Sequence, residues 1–234
     1  GRLRTNNEDS FHRDELRGLF IVADGMGGHA AGEIASAMAI SVVCESLEPT
    51  LDLQPAIDRL PPLLAASFRR ADQAICQAAS DNPAWSGMGT TLTLLLIRDG
   101  QALLGHVGDS RLYRWRGGDL EQLSDDQTLI AEQLRRGLID DQQADNSNLR
   151  NVLLQAIGLG QELEICLKSL PVATGDRYLL CSDGLTDMLS DRQISAILAG
   201  PDNPEQCCAS LVAAALEAGG RDNITAVLID IGQK

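Results

Sequence analysis

Aspartates stand at the ends of several short apolar runs in this sequence. Asp24, Asp109 and Asp183 each follow such a run within two residues, and Asp222 stands two residues before another. The runs are rich in Leu, Ile and Val and are bounded by Gly or Asp, which is typical of β-strands. The sequence therefore predicts a core rich in β-structure, with carboxylates at or near the strand ends.

Short turns separate several of the predicted strands, at residues 98–100, 108–110 and 116–119. This spacing favours an antiparallel meander over βαβ units. Two predicted helices have clear start signals, a capping box beginning at Ser190 and an Asn203-Pro pair. The predicted strands are 19–23, 90–97, 102–107, 111–115, 178–181 and 224–231, and the predicted helices are 30–47, 63–79, 127–136, 193–198 and 204–218.

Residues 125–155 differ from their surroundings because they are polar and have a helical period. They lie between strand-like regions, so we expect a small accessory lobe within one larger domain. A length of 234 residues suits a single domain with a substantial buried core. Residues 1–234 are therefore expected to form one domain.

The chain is acidic, with 33 Asp and Glu against 19 Lys and Arg and a formal net charge of −14. This charge argues against nucleic acid and anionic membranes as partners. No apolar run is expected to reach the roughly 18 residues of a membrane-spanning helix. Gly1 opens into polar sequence without a signal peptide, so a cytoplasmic location is expected.

Six cysteines are present, and none forms a CxxC pair. Most stand in apolar surroundings, which favours small buried hydrophobic residues in a reducing compartment. A disulfide framework or a zinc site is the alternative.

The aspartates near strand ends have two interpretations. An Asp-Gly pair after a strand is a common turn, so any one of these aspartates is explained by local structure. If the strands form one core, however, their ends could converge. Several carboxylates within about 5 Å repel one another unless they are protonated or bridged by cations, and hard divalent ions with oxygen ligands suit that task. The spacing alone does not establish convergence.

Six groups of short motifs follow one another along nearly the whole chain. They are residues 4–10 (RTNNEDS), 22–29 (VADGMGGH), 87–91 (GMGTT), 106–111 (HVGDSR), 175–177 with 182–185 (GDR and SDGL), and 220–223 (GRDN). In this order they resemble the motifs of bacterial metal-dependent serine/threonine protein phosphatases of type 2C. The resemblance implies an α+β fold, a four-layer α-β-β-α sandwich of two antiparallel sheets flanked by helices, with a small helical flap at 125–155. The family's first strand normally precedes Gly1, so that strand is expected to be truncated.

The resemblance also implies a cluster of Mn²⁺ or Mg²⁺ ions, with two tight ions and a weaker third. Asp24 would bridge the tight pair, and the carbonyl oxygen of Gly25 would help to hold the second ion. Asp183 and Asp222 would bind the first ion, and Asp9 would bind the second.

Further residues take roles by the same resemblance. Glu8 would be a ligand of the second ion or would support one. Asp109, paired with Asp183, would form the weaker third site, although a turn-forming role for Asp109 remains open. Arg4 matches the family's phosphate-binding arginine, and a guanidinium suits that role because it is always charged and offers a fork of donors.

The general acid is less well defined by the motifs. Eukaryotic members of the family have a histidine directly after the Asp-Gly pair, where this chain has Met26. His29 is the nearest candidate for a general acid, and a role beside the ligands or at a helix start is its alternative. His12 and His106 are expected to be structural.

These motifs predict an enzyme that hydrolyses phosphoserine and phosphothreonine in proteins through water activated by two metal ions. Its expected partners are eukaryotic-like serine/threonine kinases and their targets, and it is expected to be a monomer. Two alternatives are an inactive binding module, which loss of the aspartates would mark, and a metallohydrolase acting on cyclic nucleotides or polyphosphate. Every metal-binding aspartate of the family pattern is present.

Overall fold

The structure is a computed structural model that describes residues 1–27, 31–145, 147, 149 and 151–232. Numbered along the chain, the described strands are β1 (Asp9–Asp14), β2 (Leu19–Met26), β3 (Gly89–Thr90), β4 (Leu92–Arg98), β5 (Gln101–Val107), β6 (Arg111–Arg116), β7 (Asp119–Gln122), β8 (Cys166–Pro171), β9 (Arg177–Cys181) and β10 (Ala226–Asp230). The described helices are α1 (Ala31–Leu51), α2 (Pro61–Asp81), α3 (Leu129–Arg135), α4 (Asp141–Asp145), α5 (Asp183–Thr186), α6 (Asp191–Leu198) and α7 (Pro204–Glu217).

The described strands form two antiparallel sheets. One has the order β1-β2-β4-β5-β8, with the short β3 also paired to β2. The other has the order β10-β9-β6-β7. Helices α1 and α2 cover the outer face of the first sheet, and α5, α6 and α7 cover that of the second. The expected four-layer α-β-β-α sandwich is confirmed.

Strand β2 shows why several runs are continuously apolar. Leu19 and Ile21 belong to the core beneath α1 and α2, whereas Phe20 and Val22 belong to the core between the two sheets. Successive side chains of a strand point to opposite faces, so a strand covered on both sides needs apolar residues at every position. Full burial of each such side chain contributes about 1.5–3 kcal/mol.

The predicted strands and helices are present with small shifts in their ends, except that the predicted strand 90–97 is divided into β3 and β4, and three further strands were missed. Strands β1, β7 and β8 lie at sheet edges and have exposed or half-buried residues along much of their length. Their sequences contain many polar residues for this reason, and no apolar run marks them. The one-turn helix α5 and the short α4 were also missed.

The predicted meander is wrong at one turn. Strands β5 and β6 do not pair, and Gly108-Asp109-Ser110 carries the chain from one sheet to the other. Gly108 has a φ of 109°, and a Cβ there would lie 2.6 Å from a methyl carbon of Thr91. The crossing therefore requires glycine.

Helix α1 corrects one expectation about membranes. By length and composition alone it is long and apolar enough to span a bilayer, although no such stretch was expected. It packs against β2 and α2, and the residues buried there include Ala35, Ala39 and Val43. This contact with the core accounts for its apolar composition.

Residues 125–155 contain the expected helical lobe, called the flap here, with α3 and α4. Thr128 caps α3 by accepting a hydrogen bond from the backbone N–H of Ala131. An isolated bridge between Thr128 and Leu153 brings the two ends of the flap together. The flap is thus fixed at its base.

Candidate active site

Carboxylates converge at one end of the sandwich. The end of β2, the start of α5, the crossing between β5 and β6 and the loop before β10 meet there around a pocket of about 200 Å³. The spacing of the sequence left this convergence open, and the structure establishes it. The residues lining the pocket are Arg4, Glu8, Asp24, Gly25, Met26, Gly27, Thr91, Asp109, Asn151, Leu153, Asp183 and Asp222.

Asp9 lies directly beside this pocket. It is opposite Asp24 in the register of β1 and β2, and only 7% of it is exposed. Its Oδ2 accepts hydrogen bonds of 2.7 Å from the hydroxyls of both Ser182 and Thr225. Its Oδ1 is buried without a hydrogen-bond partner among the described residues. This oxygen has the lone pairs that a cation would use.

The backbone of Asp24 is held by the chain that links β3 to β4. Its N–H donates to Thr91 Oγ1 at 2.9 Å, and its carbonyl accepts from Thr91 N–H and Thr90 Oγ1, both at 2.9 Å. The next residue must be glycine, since a Cβ at Gly25 would lie 2.0 Å from the carbonyl oxygen of Gly32. These contacts fix the position of the carboxylate without using its oxygens.

Burial and mutual repulsion raise the pKa values of several acid groups of the pocket. The pKa of Asp24 is raised well above its usual value, first by burial and then by Asp183. Burial, followed by the charges of Asp187 and Asp222, raises the pKa of Asp183 to about 7. Burial and then Asp183 raise the pKa of Asp109 to about 8. These carboxylates cannot all be ionised at neutral pH unless cations compensate their charge.

The donor set fits hard divalent cations. The pocket offers carboxylate oxygens from two sheets, and the pKa values of Glu8 and Asp9 are also raised by burial. Asp9 has an unsatisfied buried oxygen, and Gly25 lets its backbone approach closely. Mn²⁺ and Mg²⁺ prefer oxygen ligands of this kind.

Arg4 lies in the pocket and pairs with one of the carboxylates. Its Nη2 donates to Asp222 Oδ2 at 2.7 Å, while 54% of the arginine side chain remains exposed. The sequence predicted Arg4 as a phosphate contact but gave no indication of this ion pair. The arginine therefore stands at the open side of the pocket, where it faces solvent and an acid group together.

Asn223 was quoted within a motif but given no role, and the structure supplies one. Its Oδ1 accepts from the backbone N–H of Glu8 at 3.0 Å, and its Nδ2 donates to the carbonyl of Asn6 at 2.8 Å. The side chain thereby holds the segment before β1 against the loop that carries Asp222. Only the fold could reveal this contact, because the partners are more than 200 residues apart.

The flap also contributes to the pocket. Asn151 and Leu153 line it, and the sequence did not single out either residue. At the base of the flap, the side chain and backbone of Gln127 contact Gly108. Its Oε1 accepts from Gly108 N–H at 2.7 Å and its backbone N–H donates to the Gly108 carbonyl at 2.9 Å. The flap is thus joined to the turn that carries Asp109.

Among the described residues, neither His106 nor Cys181 lines the pocket. His29 lies outside the described residues. His106 is buried between Thr93 Oγ1 and the carbonyl of Asp125, and burial lowers its pKa to about 4. Cys181 is buried in the core, and burial raises its pKa to about 12.

Comparison with known proteins places this geometry in a family. The family model described as protein phosphatase 2C matches residues 2–217. The chain is 39% identical over 233 residues to the serine/threonine protein phosphatase PstP of Mycobacterium tuberculosis, covering 99% of this chain but 43% of that protein. It is 35% identical to the serine/threonine phosphatase stp of Listeria monocytogenes, covering 100% of this chain and 94% of that one. The chain thus spans less than half of the mycobacterial relative.

Solved structures agree with the sequence matches. A crystal structure of M. tuberculosis PstP superposes with a TM-score of 0.90 at 38% identity, covering 99% of this chain and 94% of that one. A second structure, the catalytic domain of PstP in complex with two manganese ions, has a TM-score of 0.87 at 38% identity and the same coverage. The resemblance seen in the motifs is confirmed over the whole fold, and the chain belongs to the protein phosphatase 2C family.

Proposed function

We propose that this chain is a Mn²⁺- or Mg²⁺-dependent phosphatase that removes phosphate from phosphoserine and phosphothreonine in proteins. The observation that carries the proposal is the convergence of Asp24, Asp109, Asp183 and Asp222 in one pocket beside Arg4. The relatives named above are serine/threonine phosphatases, which supports the same activity.

Two sets of residues that share Asp24 would hold the two metal ions. Asp24, the carbonyl of Gly25 and Asp9 would hold one ion, and Asp24, Asp183 and Asp222 the other. When bound, the ions would supply positive charge beside the phosphate and activate water at neutral pH. The manganese pair in the PstP structure supports two such ions.

Arg4 would bind the phosphate from the open side of the pocket. A guanidinium can donate to two phosphate oxygens at once, and its position beside Asp222 places it within reach of the ligand cluster. Arg4 would orient the phosphorus toward the water and would share the negative charge that remains on the oxygens during transfer.

Partners and location are proposed on the same basis. Phosphoproteins are the expected substrates, with eukaryotic-like serine/threonine kinases and their targets as the physiological partners. The net charge of −14 disfavours nucleic acid and anionic membranes as ligands. A monomer acting in the cytoplasm is the simplest form of such an enzyme.

Hydrolysis of a phosphopeptide panel, measured with and without Mn²⁺, tests the proposal. Phosphoserine and phosphothreonine peptides should be hydrolysed in Mn²⁺, and activity should disappear in EDTA. Cyclic nucleotides and polyphosphate serve as competing substrates. Faster turnover of either than of any phosphopeptide, or no turnover at all, would contradict the proposal.

Arg4→Ala should mainly raise KM, with a smaller fall in kcat, if its contact with phosphate is of similar strength in the ground and transition states. Arg2→Ala is the matched control. It removes the same charge two residues before Arg4, and the side chain of Arg2 does not line the pocket. Mn²⁺ affinity is measured alongside by calorimetry. A loss of metal affinity in Arg4→Ala, with KM unchanged, would show that the Asp222 pair is its main role.

Asp109→Ala should separate a weak third ion from the tight pair. In the third-site interpretation Asp109 and Asp183 would be the protein ligands of the ion, which would therefore be largely hydrated and loosely held. We expect two tight Mn²⁺ sites to remain in calorimetry while turnover falls severalfold or more, and the exposed Asp119→Ala is the control. Normal turnover would favour the turn-forming role, and loss of the tight sites would place Asp109 in the central pair.

A further inference from the structure

Strand β1 and helix α1 face each other across a line of polar residues away from the active-site pocket. Ser10, His12 and Asp14 alternate along β1, so they share the face that lies against α1. Ser10 Oγ is 2.9 Å from Ser36 Oγ of α1, and His12 Nε2 is 3.9 Å from a carboxylate oxygen of Glu48. We call this line the β1–α1 seam.

The two ends of the seam are satisfied by hydrogen bonds. At one end, Ser36 Oγ also donates to the carbonyl of Glu8 at 2.6 Å. At the other, Arg17 donates to Asp14 Oδ2 at 2.6 Å and to Asp52 Oδ1 at 2.7 Å, just beyond the end of α1. The polar groups at both ends are therefore paired, at the buried Ser36 and at the largely exposed Asp52 alike.

The middle of the seam is different. His12 Nε2 is buried and has no hydrogen-bond partner among the described residues. Cys44 and Glu48 stand four residues apart, on one face of α1. The donor atoms of His12, Cys44 and Glu48 all lie within 4.8 Å of one another. An imidazole nitrogen, a sulfur and a carboxylate oxygen thus meet at one point.

We propose that His12, Cys44 and Glu48 form a binding site for a transition-metal ion of the zinc class, separate from the carboxylate pocket. Zn²⁺ takes nitrogen, sulfur and oxygen ligands at about 2.0–2.3 Å in a tetrahedron, which sets its donors roughly 3.5 Å apart. His12 Nε2 and Glu48 Oε1 are 3.9 Å apart and all three donor atoms lie within 4.8 Å of one another, so small rotations of the side chains can bring them to this spacing. The buried lone pair of His12 Nε2 then acquires a partner.

Charge and access also suit a cation. Besides Glu48, the carboxylates of Asp14 and Glu45 act on Cys44, and Arg17 is the opposing positive charge. The side chains of His12 and Glu48 are 27% and 33% exposed, so an ion can enter from solvent and retain a water as its fourth ligand. Burial raises the pKa of Cys44 to about 12. The free site therefore holds a thiol, and an incoming ion displaces its proton to water.

The seam and the active-site pocket select different metals. A thiolate and an imidazole favour Zn²⁺ and Co²⁺, whereas Mn²⁺ binds such ligands weakly and Mg²⁺ prefers oxygen. A bound ion would tie the edge strand β1 to α1. Because it would bind only the folded chain, it would stabilise the fold.

Co²⁺ titration tests the site with a readout that is independent of catalysis. The pocket is first saturated with Mn²⁺, and each variant's phosphopeptide turnover in Mn²⁺ is measured to confirm folding. Co²⁺ bound to a thiolate shows a sulfur-to-metal charge-transfer band that oxygen ligands cannot produce. We expect this band to saturate at one equivalent of Co²⁺ and to be displaced by Zn²⁺.

Variants identify the side chains that bind Co²⁺ and produce the band. It should vanish in Cys44→Ser and should need at least tenfold more Co²⁺ in His12→Gln and Glu48→Gln. Cys76→Ser is the matched control, because Cys76 follows Asp72 at the same four-residue spacing on α2. That variant should keep the band. Absence of the band at stoichiometric Co²⁺, or its survival in Cys44→Ser, would overturn the proposal. If Cys44→Ser does not fold, the test rests on His12→Gln, whose side chain is partly exposed. An unchanged Co²⁺ requirement for the band in that variant would overturn the proposal.

Discussion

Asp24→Asn should abolish most Mn²⁺-dependent hydrolysis, with kcat falling by at least about 100-fold. Substitution of residues that merely support a metal ligand often costs 10- to 100-fold, and Asp24 is proposed as the ligand shared by both ions. Asparagine keeps the shape of the side chain but removes its charge. The backbone contacts to Thr90 and Thr91 do not involve that side chain, so the fold should be retained.

A second measurement separates lost metal binding from general damage. In EDTA at neutral pH, Asp24→Asn should be at least as stable as the parent chain, because it removes one member of a repelling cluster. Calorimetry should show that the tight Mn²⁺ pair is weakened or lost. Asp183→Asn and Asp222→Asn should behave alike, and the exposed Asp58→Asn is the control. A variant with near-normal kcat in saturating Mn²⁺ would refute the assignment.

The same kinetic assay addresses the type of mechanism. Cys181→Ser should retain activity, because that thiol is buried in the core and does not line the pocket. Complete loss of activity in a folded Cys181→Ser variant would contradict hydrolysis without a covalent cysteine intermediate.

The apolar runs predicted the central strands, because strands buried on both faces need continuous apolar residues, whereas the layered arrangement was implied by the family resemblance. It missed β1, β7 and β8 because edge strands carry polar residues. It also missed the crossing at Asp109, since a tight turn between paired strands and one between sheets have similar local sequence. Which sheet a strand joins depends on packing partners far along the chain.

The active site was also predicted only where local sequence patterns identify a residue. The motifs marked the carboxylates because each stands in a recognisable local pattern. They could not mark Ser182, Thr225 or Asn223 as supports, because the contacts of these residues with Asp9 and Glu8 exist only in the folded chain. The ion pair between Arg4 and Asp222 is hidden for the same reason.

Saturating Mn²⁺ should raise the free energy of unfolding by roughly 2–4 kcal/mol at 100 to 1,000 times Kd. For a chain of this size, about 1 kcal/mol corresponds to a shift of 2–4 °C in Tm. The expected rise is therefore about 5–15 °C, measured by calorimetry or circular dichroism. An unchanged Tm in millimolar Mn²⁺ would contradict a preformed site.

The pH dependence of this gain tests its electrostatic origin. An unfolded aspartate has a pKa of about 3.9, whereas the folded pKa values are about 7 for Asp183 and about 8 for Asp109. At pH values between the unfolded pKa and the folded pKa values, the folded state binds more protons than the unfolded state, so stability falls as pH rises. Without metal, Tm should thus decline from about pH 5 to pH 8.5.

Mn²⁺ should remove much of that decline, because the ions take the place of the protons. The gain in Tm from Mn²⁺ should be largest near pH 8 and smaller near pH 5, where protons compete for the same oxygens. The lowered pKa values of Asp14 and Asp176 affect stability only at more acid pH. Asp183→Asn should flatten the metal-free profile, since it removes one raised pKa and lessens the repulsion on Asp24 and Asp109. A metal-free Tm that rises between pH 5 and pH 8.5 would show that repulsion in the pocket does not control the stability of the free protein.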